Sequence, residues 1–206
     1  CGVPPEGAGA IADAARARGL TVRGVMGYEG HVVGLASHDD RVRLTGEAMA
    51  LLLAAHAEVG GEVVSAGGTG TYAINTWANE IQAGSYALMD TAYGELGLPF
   101  EPALHLVTTV VSVSPKGWAV VDCGLKSLGM DHGNPTVAGS TVFFCSDEHT
   151  TLLPDDGTRL AVGDRVLVAP AHVDPTVAYH EAMHVVDGPG PDAAILETWA
   201  VDLRGW

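Results

Sequence analysis

Glu62-Val63-Val64-Ser65-Ala66-Gly67-Gly68-Thr69-Gly70-Thr71 runs from a short apolar, β-prone segment straight into a glycine-rich loop. Upstream of it lies an apolar-periodic run over residues 41–59, which predicts a helix. Before that come a glycine- and histidine-containing loop over 27–40 and a strand-like run over 20–26, where apolar and polar residues nearly alternate. Strand, loop, helix, strand, loop is the order of an α/β unit with a parallel sheet. Further out, Pro4-Pro5 followed by Glu6 and an alanine-rich run to Arg18, with Gly19 beyond, carries the proline-in, glycine-out signature of another helix. The α/β texture lasts to about residue 98.

Beyond that point the texture changes. Residues 103–113, 118–123, 141–145, 165–169, 182–186 and 194–201 are apolar, β-prone runs separated by Gly, Pro and Asp turns. Ser114-Pro115-Lys116-Gly117, between the first two, is a hairpin turn: proline presets one turn dihedral and glycine tolerates a positive one. The expected fold class is therefore α/β followed by all-β, with one domain over 1–98 and a β-rich one over 99–206. No fixed-period repeat or low-complexity tract interrupts it.

With 206 residues, 47% of them hydrophobic, the chain can bury a core as one large or two small domains. Ten Lys+Arg against 25 Asp+Glu give a formal charge of -15, which repels a phosphate backbone and an anionic lipid surface alike. Nucleic acid is thus excluded as a partner. The longest apolar stretches, around 49–56 and 106–113, fall short of the roughly 20 residues of a membrane span. Cys1, Cys123 and Cys145 do not make a disulfide framework, and no secretory leader pattern opens the chain, so the cytoplasm is the default compartment. The start, Cys1-Gly2-Val3-Pro4-Pro5, lacks an initiator Met and reads as a cut from a longer polypeptide.

Four groups of residues could carry chemistry. Ser65 to Thr71 brings small residues to what the pattern reads as a helix N-terminus, where exposed amides and the helix dipole suit a phosphate. Gln82-Ala83-Gly84-Ser85-Tyr86 could add amides and a hydroxyl to the same anion, while a plain tight turn explains the glycines equally well. Pro170-Ala171-His172-Val173-Asp174-Pro175-Thr176 follows a predicted strand. If extended, it points His172 and Asp174 to one face, where imidazole and carboxylate suit a divalent metal; an isolated His-x-Asp is more often a turn with a hydrogen-bonded histidine. Gly27-Tyr28-Glu29-Gly30-His31 sits after a predicted parallel strand, where α/β proteins place their sites, so Tyr28 could stack on a ring and His31 could move protons. The plainer alternative packs Tyr28 in the core and solvates His31. Last, Cys123 reads as a buried thiol on an apolar strand. Asp147-Glu148-His149 could line a site or form a polar turn. Lys126, in the semi-apolar run 124–130, either has a lowered pKa or pairs with a neighbouring loop.

Read jointly and in order, Gly27 to His31, 65–72, 80–90, 119–128, 146–149 and 170–176 resemble the D-threonine aldolase and D-serine dehydratase family, across nearly the whole chain. The resemblance implies an alanine-racemase-like architecture, in which an (α/β)8 barrel binds pyridoxal 5'-phosphate and a β-rich domain follows. Residues 1–98 would be the later part of that barrel. The family's Schiff-base lysine would precede Cys1, since neither Lys116 nor Lys126 matches it. By resemblance, Gly67, Gly68 and Thr69 with Gly84 and Ser85 hold the cofactor phosphate, Tyr28 lies beside the cofactor, and Gln82 faces the pyridine nitrogen. A neutral amide there makes a milder electron sink than a carboxylate.

His172 and Asp174 match the family's metal pair. The dehydratase branch resembles His-x-Cys with zinc, and the aldolase branch His-x-Asp with harder ions, so Asp174 favours the aldolase and a metal among Mn, Mg, Co and Zn. The implied reaction takes a D-β-hydroxy-α-amino acid to glycine and an aldehyde, with His31 the candidate base. Loss of the hydroxyl instead would make the protein a dehydratase. The implied partners are the small-molecule substrate and a second copy or the missing N-terminal half. A non-catalytic partial domain is the competing reading, because a half-barrel leaves strand edges and apolar faces uncovered.

Overall fold

The computed structural model describes residues 2–204, so Cys1 lies outside the described residues. The chain divides into two compact units, one running up to Tyr86 and including Glu95–Leu98, the other holding Ala87–Gly94 and the rest from Pro99 onward.

The first unit is α/β, in the expected order. Helix α1 spans Pro5–Ala17, with proline at its first turn. Strand β1, Gly24–Met26, pairs in parallel with β2, Val63–Ala66, and β2 pairs in parallel with β3, Glu80–Ile81. Helix α2, His38–Val59, lies between β1 and β2 in sequence and seals Met49 and Leu52 against Val64 and Ala66 of the sheet. Burying such side chains contributes about 1.5–3 kcal/mol each.

Two expectations are corrected here. The run over 20–26 yields only three strand residues, because pairing with β2 is confined to Gly24, Val25 and Met26 opposite Val63, Val64 and Ser65. Helix α2 starts at His38 rather than at 41. Ser37 caps it, its hydroxyl accepting the Asp40 amide at 3.2 Å, and Asp39 and Asp40 complement the positive end of the helix.

The second unit is β-rich. Strands β4 (Leu106–Val113), β5 (Ala119–Val121), β6 (Thr136–Val137), β7 (Ser140–Cys145), β8 (Thr150–Pro154) and β9 (Arg165–Ala169) close an antiparallel barrel in the order β4-β5-β8-β7-β6-β9. Its interior is filled by Val110, Ala119, Val121, Cys123, Leu128, Val137, Leu152, Val166 and Val168. Closure removes the free edges that a six-stranded open sheet would expose. The turn over 114–117 forms as expected: the Ser114 amide donates to the Trp118 carbonyl at 2.8 Å, and Gly117 takes φ +101°. Strands β6 and β8 have no counterpart in the expected set. β6 is two residues long, and β8 reads polar because Thr150 and Thr151 open it. A two-stranded hairpin, β10 (Ala182–Val186) with β11 (Ile195–Ala200), completes the unit.

Candidate functional site

In the first unit the glycine-rich loop does not open a helix. After Ala66 the chain goes through turns at 69–74, with Thr71 N donating to Gly68 O and Asn75 N to Thr71 O. No helix dipole therefore stands behind this loop. A residue to which the sequence pattern assigned no role organises the loop instead. Glu29 is 2% exposed and accepts from the Gly67 amide (3.1 Å), the Thr71 hydroxyl (2.8 Å) and the Asn75 side-chain amide (3.2 Å).

The Gly67 and Gly68 amides are consequently directed inward, to Glu29 and to the Thr71 hydroxyl at 3.1 Å. These two residues shape the loop. Within Gly67–Thr71, the amides of Thr69 and Gly70 have no acceptor among the described residues. The glycines are required by packing. Gly67 has φ +86°, a Cβ on Gly68 would press on the Tyr28 ring and on Val33, and one on Gly70 would collide with the Val33 carbonyl.

The other expected cofactor residues cluster around this loop. Tyr28 is 57% exposed with its ring edge against Gly68, so it is not a core residue. Thr69 is buried and its hydroxyl accepts the Tyr86 amide at 3.1 Å, which joins the loop to the segment carrying Gly84 and Ser85. A short 3₁₀ turn spans Ser85–Ala87, and Gly84 has open space where a side chain would stand. Gln82 is exposed and donates to the Ser65 hydroxyl (2.7 Å), which donates to Glu80 (2.6 Å). His31 is exposed on the loop after β1.

In the second unit, helix α4 covers Val173–Ala178 and α3 covers Thr91–Gly94. The expected extended placement of His172 and Asp174 is corrected accordingly. His172 is extended (φ −139°, ψ 116°) at the N-cap of α4, while Asp174 sits in its first turn. The two side chains still meet, Nε2 of His172 lying 3.4 Å from Oδ2 of Asp174. Ligand atoms each held about 2.0–2.2 Å from one divalent ion lie roughly 3.0–3.5 Å apart. The pair therefore fits a metal.

The N-cap histidine makes no side-chain capping bond. Buried Asp90 takes over that work, accepting the Val173 amide at 2.9 Å and the Tyr93 amide at 2.9 Å. The Thr176 hydroxyl donates to His172 O and accepts from the Gly129 amide. Gly129 also forms an isolated bridge with His172, in a space that Pro175 would deny to any side chain. These contacts fix the backbone of His172 and free its ring. Asp131 Oδ2 stands 2.8 Å from His172 Nδ1, and the His132 ring stacks on His172 at 3.8 Å between centroids and 10° between planes. Ligand atoms of Asp131, His132 and His172 all lie within 4.8 Å of one another. Glu29, Asn75, Asp90, Asp131 and His132 thus contact the candidate site residues without having been singled out in sequence. The signal available for Asp131 and His132 was only an Asp-His pair before a Gly-Asn-Pro turn.

Lys126 pairs with Glu148 at 2.5 Å. That hydrogen bond and its charge hold the amine above the ordinary lysine range, so the lowered pKa considered for it does not occur. Asp147, Glu148 and His149 line an open cleft of about 640 Å³ with Phe144 and Cys145. Cys123 is 4% exposed, and burial pushes its thiol up to about 11 despite a contact with the Thr150 hydroxyl. At pH 8 only about one in a thousand such thiols is ionised. Iodoacetamide is expected to leave Cys123 unmodified in the native protein and to label it in denaturant. Peptide mapping checks this, and native-state labelling of Cys123 would refute its placement in the barrel.

Comparison with known proteins gives a consistent picture. Residues 103–186 match the family model described as "Putative serine dehydratase domain". A 3-hydroxy-D-aspartate aldolase of Paracoccus denitrificans is 37% identical over 212 residues, covering 93% of this chain and 54% of the aldolase. A D-threonine aldolase of Arthrobacter is 30% identical over 226 residues, covering all of this chain and 58% of that enzyme. The crystal structure of D-threonine aldolase from Filomicrobium marinum superposes with a TM-score of 0.85 at 33% identity, over 98% of this chain and 59% of that one. The chain spans somewhat more than half the length of these two aldolases.

Proposed function

We propose that this chain, which is similar to the D-threonine and 3-hydroxy-D-aspartate aldolases and matches a serine dehydratase family model over residues 103–186, is part of a lyase that cleaves D-β-hydroxy-α-amino acids to glycine and an aldehyde. The observation that carries this reading is the His172–Asp174 pair, spaced as two ligands of one divalent ion. Imidazole with carboxylate suits Mn, Mg, Co or Zn, and an ion held there supplies Lewis acidity toward a substrate hydroxyl. Asp174 in place of a thiolate favours hard ions and the aldolase over the dehydratase reading.

Pyridoxal 5'-phosphate is the cofactor of the proposal, and when bound it supplies an electron sink for bond cleavage at Cα. The residues of the first unit fit such a group in kind. The Thr69 and Gly70 amides, with Gly84 and Ser85, would hold its phosphate, on a loop that Gly67 and Gly68 shape. Tyr28 offers an exposed ring face beside that loop. Gln82 would face the ring nitrogen as a neutral amide, which stabilises positive charge less than a carboxylate does. His31 would accept the substrate's β-hydroxyl proton. Its exposure leaves it free to return that proton to solvent.

Neither lysine is offered as a covalent anchor, because Lys116 sits in the β4–β5 turn and Lys126 is committed to Glu148. A lysine elsewhere in the encoded protein, and a subunit partner, belong to the same proposal.

The test is to assay the full encoded protein with pyridoxal phosphate and Mn²⁺, offering D-threonine and 3-hydroxy-D-aspartate separately. The expected products are glycine with acetaldehyde or glyoxylate. Ammonia and a keto acid would replace aldol cleavage by the dehydratase reading, and no product from either substrate would refute both.

A further inference from the structure

The metal reading uses one nitrogen of His172, and the surroundings of the other nitrogen are built. Asp131 Oδ2 lies 2.8 Å from Nδ1, whereas Nε2 faces Asp174 Oδ2 at 3.4 Å. The ring is held on its face as well, by His132 at 3.8 Å and nearly parallel. The supporting segment is anchored at Gly129, which bridges to His172 and donates to the Thr176 hydroxyl, so the chain arriving at Asp131 is tied to the backbone of the histidine it contacts.

We propose that Asp131 is a positioning residue that fixes His172 as the Nδ1–H tautomer, with His132 clamping the plane of the ring, so that Nε2 presents a lone pair to a divalent ion shared with Asp174. This inference rests on the metal reading of His172 and Asp174 given above.

The chemistry follows from the donor inventory. A carboxylate only accepts, so a hydrogen bond at 2.8 Å requires the proton on Nδ1. A neutral imidazole has one N–H, which leaves Nε2 as the acceptor and the ligand. A free imidazole in water exchanges between both tautomers, and one of them blocks Nε2 with a proton. Fixing the tautomer removes that competition. Asp131 cannot be a co-ligand in this arrangement, because an oxygen bonded at Nδ1 and an ion bound at Nε2 project from opposite edges of one ring. His132 adds orientation through its face.

The experiment uses the full encoded protein in wild-type, Asp131→Ala, Asp131→Asn and His172→Ala forms. Two readouts are taken at pH 8: long-range ¹H–¹⁵N spectra of His172 without metal and with Zn²⁺, and calorimetric titration with Mn²⁺. Wild-type His172 is expected as the Nδ1–H tautomer before any metal is added, and as an Nε2 ligand once Zn²⁺ is bound. Asp131→Ala is expected to lose the fixed tautomer and to bind Mn²⁺ about 10–100-fold more weakly. Asp131→Asn is expected to restore the tautomer, since its amide oxygen still accepts from Nδ1, and to recover part of the affinity. A merely structural role would predict neither the tautomer change nor that rescue.

The proposal is overturned if Asp131→Ala keeps both the tautomer and the affinity while His172→Ala loses Mn²⁺ binding. It is also overturned if Zn²⁺ binds through Nδ1, which would make Asp131 and His132 co-ligands, as their spacing within 4.8 Å allows. If His172→Ala binds Mn²⁺ as tightly as wild type, the failure belongs to the metal reading, and the metal-free spectra still decide the tautomer.

Discussion

Replacing Glu29 with alanine is expected to lower the local stability of the glycine-rich loop by about 3 kcal/mol, a loss on the scale of several buried hydrogen bonds. The carboxylate is almost fully enclosed and takes three donors: the Gly67 amide on Oε2, and the Thr71 hydroxyl and Asn75 amide on Oε1. Truncation would leave the buried Gly67 amide and Thr71 hydroxyl without an acceptor, and the Asn75 amide with only Met49 Sδ at 3.2 Å; an orphaned buried donor costs about 1–3 kcal/mol. The donors come from three points along nine residues of chain, so their release frees the whole loop rather than one contact. Glutamine is not a faithful replacement. One of its two terminal groups would be an NH₂ facing either the Gly67 N–H or the Thr71 and Asn75 donors, and donor against donor is repulsive. The measurement is hydrogen exchange of peptides covering 65–75, compared with peptides from the barrel. Faster exchange confined to the loop in E29A is the expected result. Unchanged protection would mean that the glycines and Thr71 hold the loop without the carboxylate.

The same residue shows where sequence reading stopped. Strand, loop, helix, strand was legible because its signals are local: a period in residues 41–59, alternation near β1, and glycines after β2. The β-rich character of the second half was equally legible from its apolar runs and turn residues. Barrel closure was not, since it depends on β9 returning to pair with both β4 and β6, across about 60 and 30 residues. Strands of two residues, or strands opened by threonines, carry too little apolar signal to stand out. Glu29 was visible as a letter in a motif, but its role is set by partners 38 to 46 residues away.

The His-x-Asp pair was found for a reason that proved geometrically incomplete. Alternation along a strand puts residues i and i+2 on one face, yet here the pair is brought together by the transition from an extended N-cap into a helical first turn. What makes that transition available is Asp90, which supplies the capping acceptor that a histidine lacks. A local pattern thus located the pair, and a contact spanning 83 residues positions it. Asp131 and His132 lay beyond the reach of a local pattern for the same reason, being 41 and 40 residues from His172 in sequence.

The second large effect is expected at that histidine. His172→Ala removes the imidazole whose Nε2 lies 3.4 Å from Asp174 Oδ2, and Mn²⁺ binding by the full encoded protein should fall about 1,000-fold, since the strongest donor of the proposed pair is lost. Folding should survive, because the His172 side chain makes no capping bond and its carbonyl contacts with Thr176 and Gly129 are backbone properties. Circular dichroism and thermal unfolding therefore separate loss of metal from loss of structure. Asp174→Cys asks the complementary question. A thiolate beside an imidazole prefers softer ions, so the variant should bind Zn²⁺ more tightly and Mn²⁺ more weakly than wild type. If both changes leave the Mn²⁺ isotherm intact, the ion binds elsewhere and the His172–Asp174 contact is an ordinary side-chain pair. If His172→Ala abolishes binding and Asp174→Cys inverts the order of metals, the hardness of one side chain at position 174 sets which ion the protein uses.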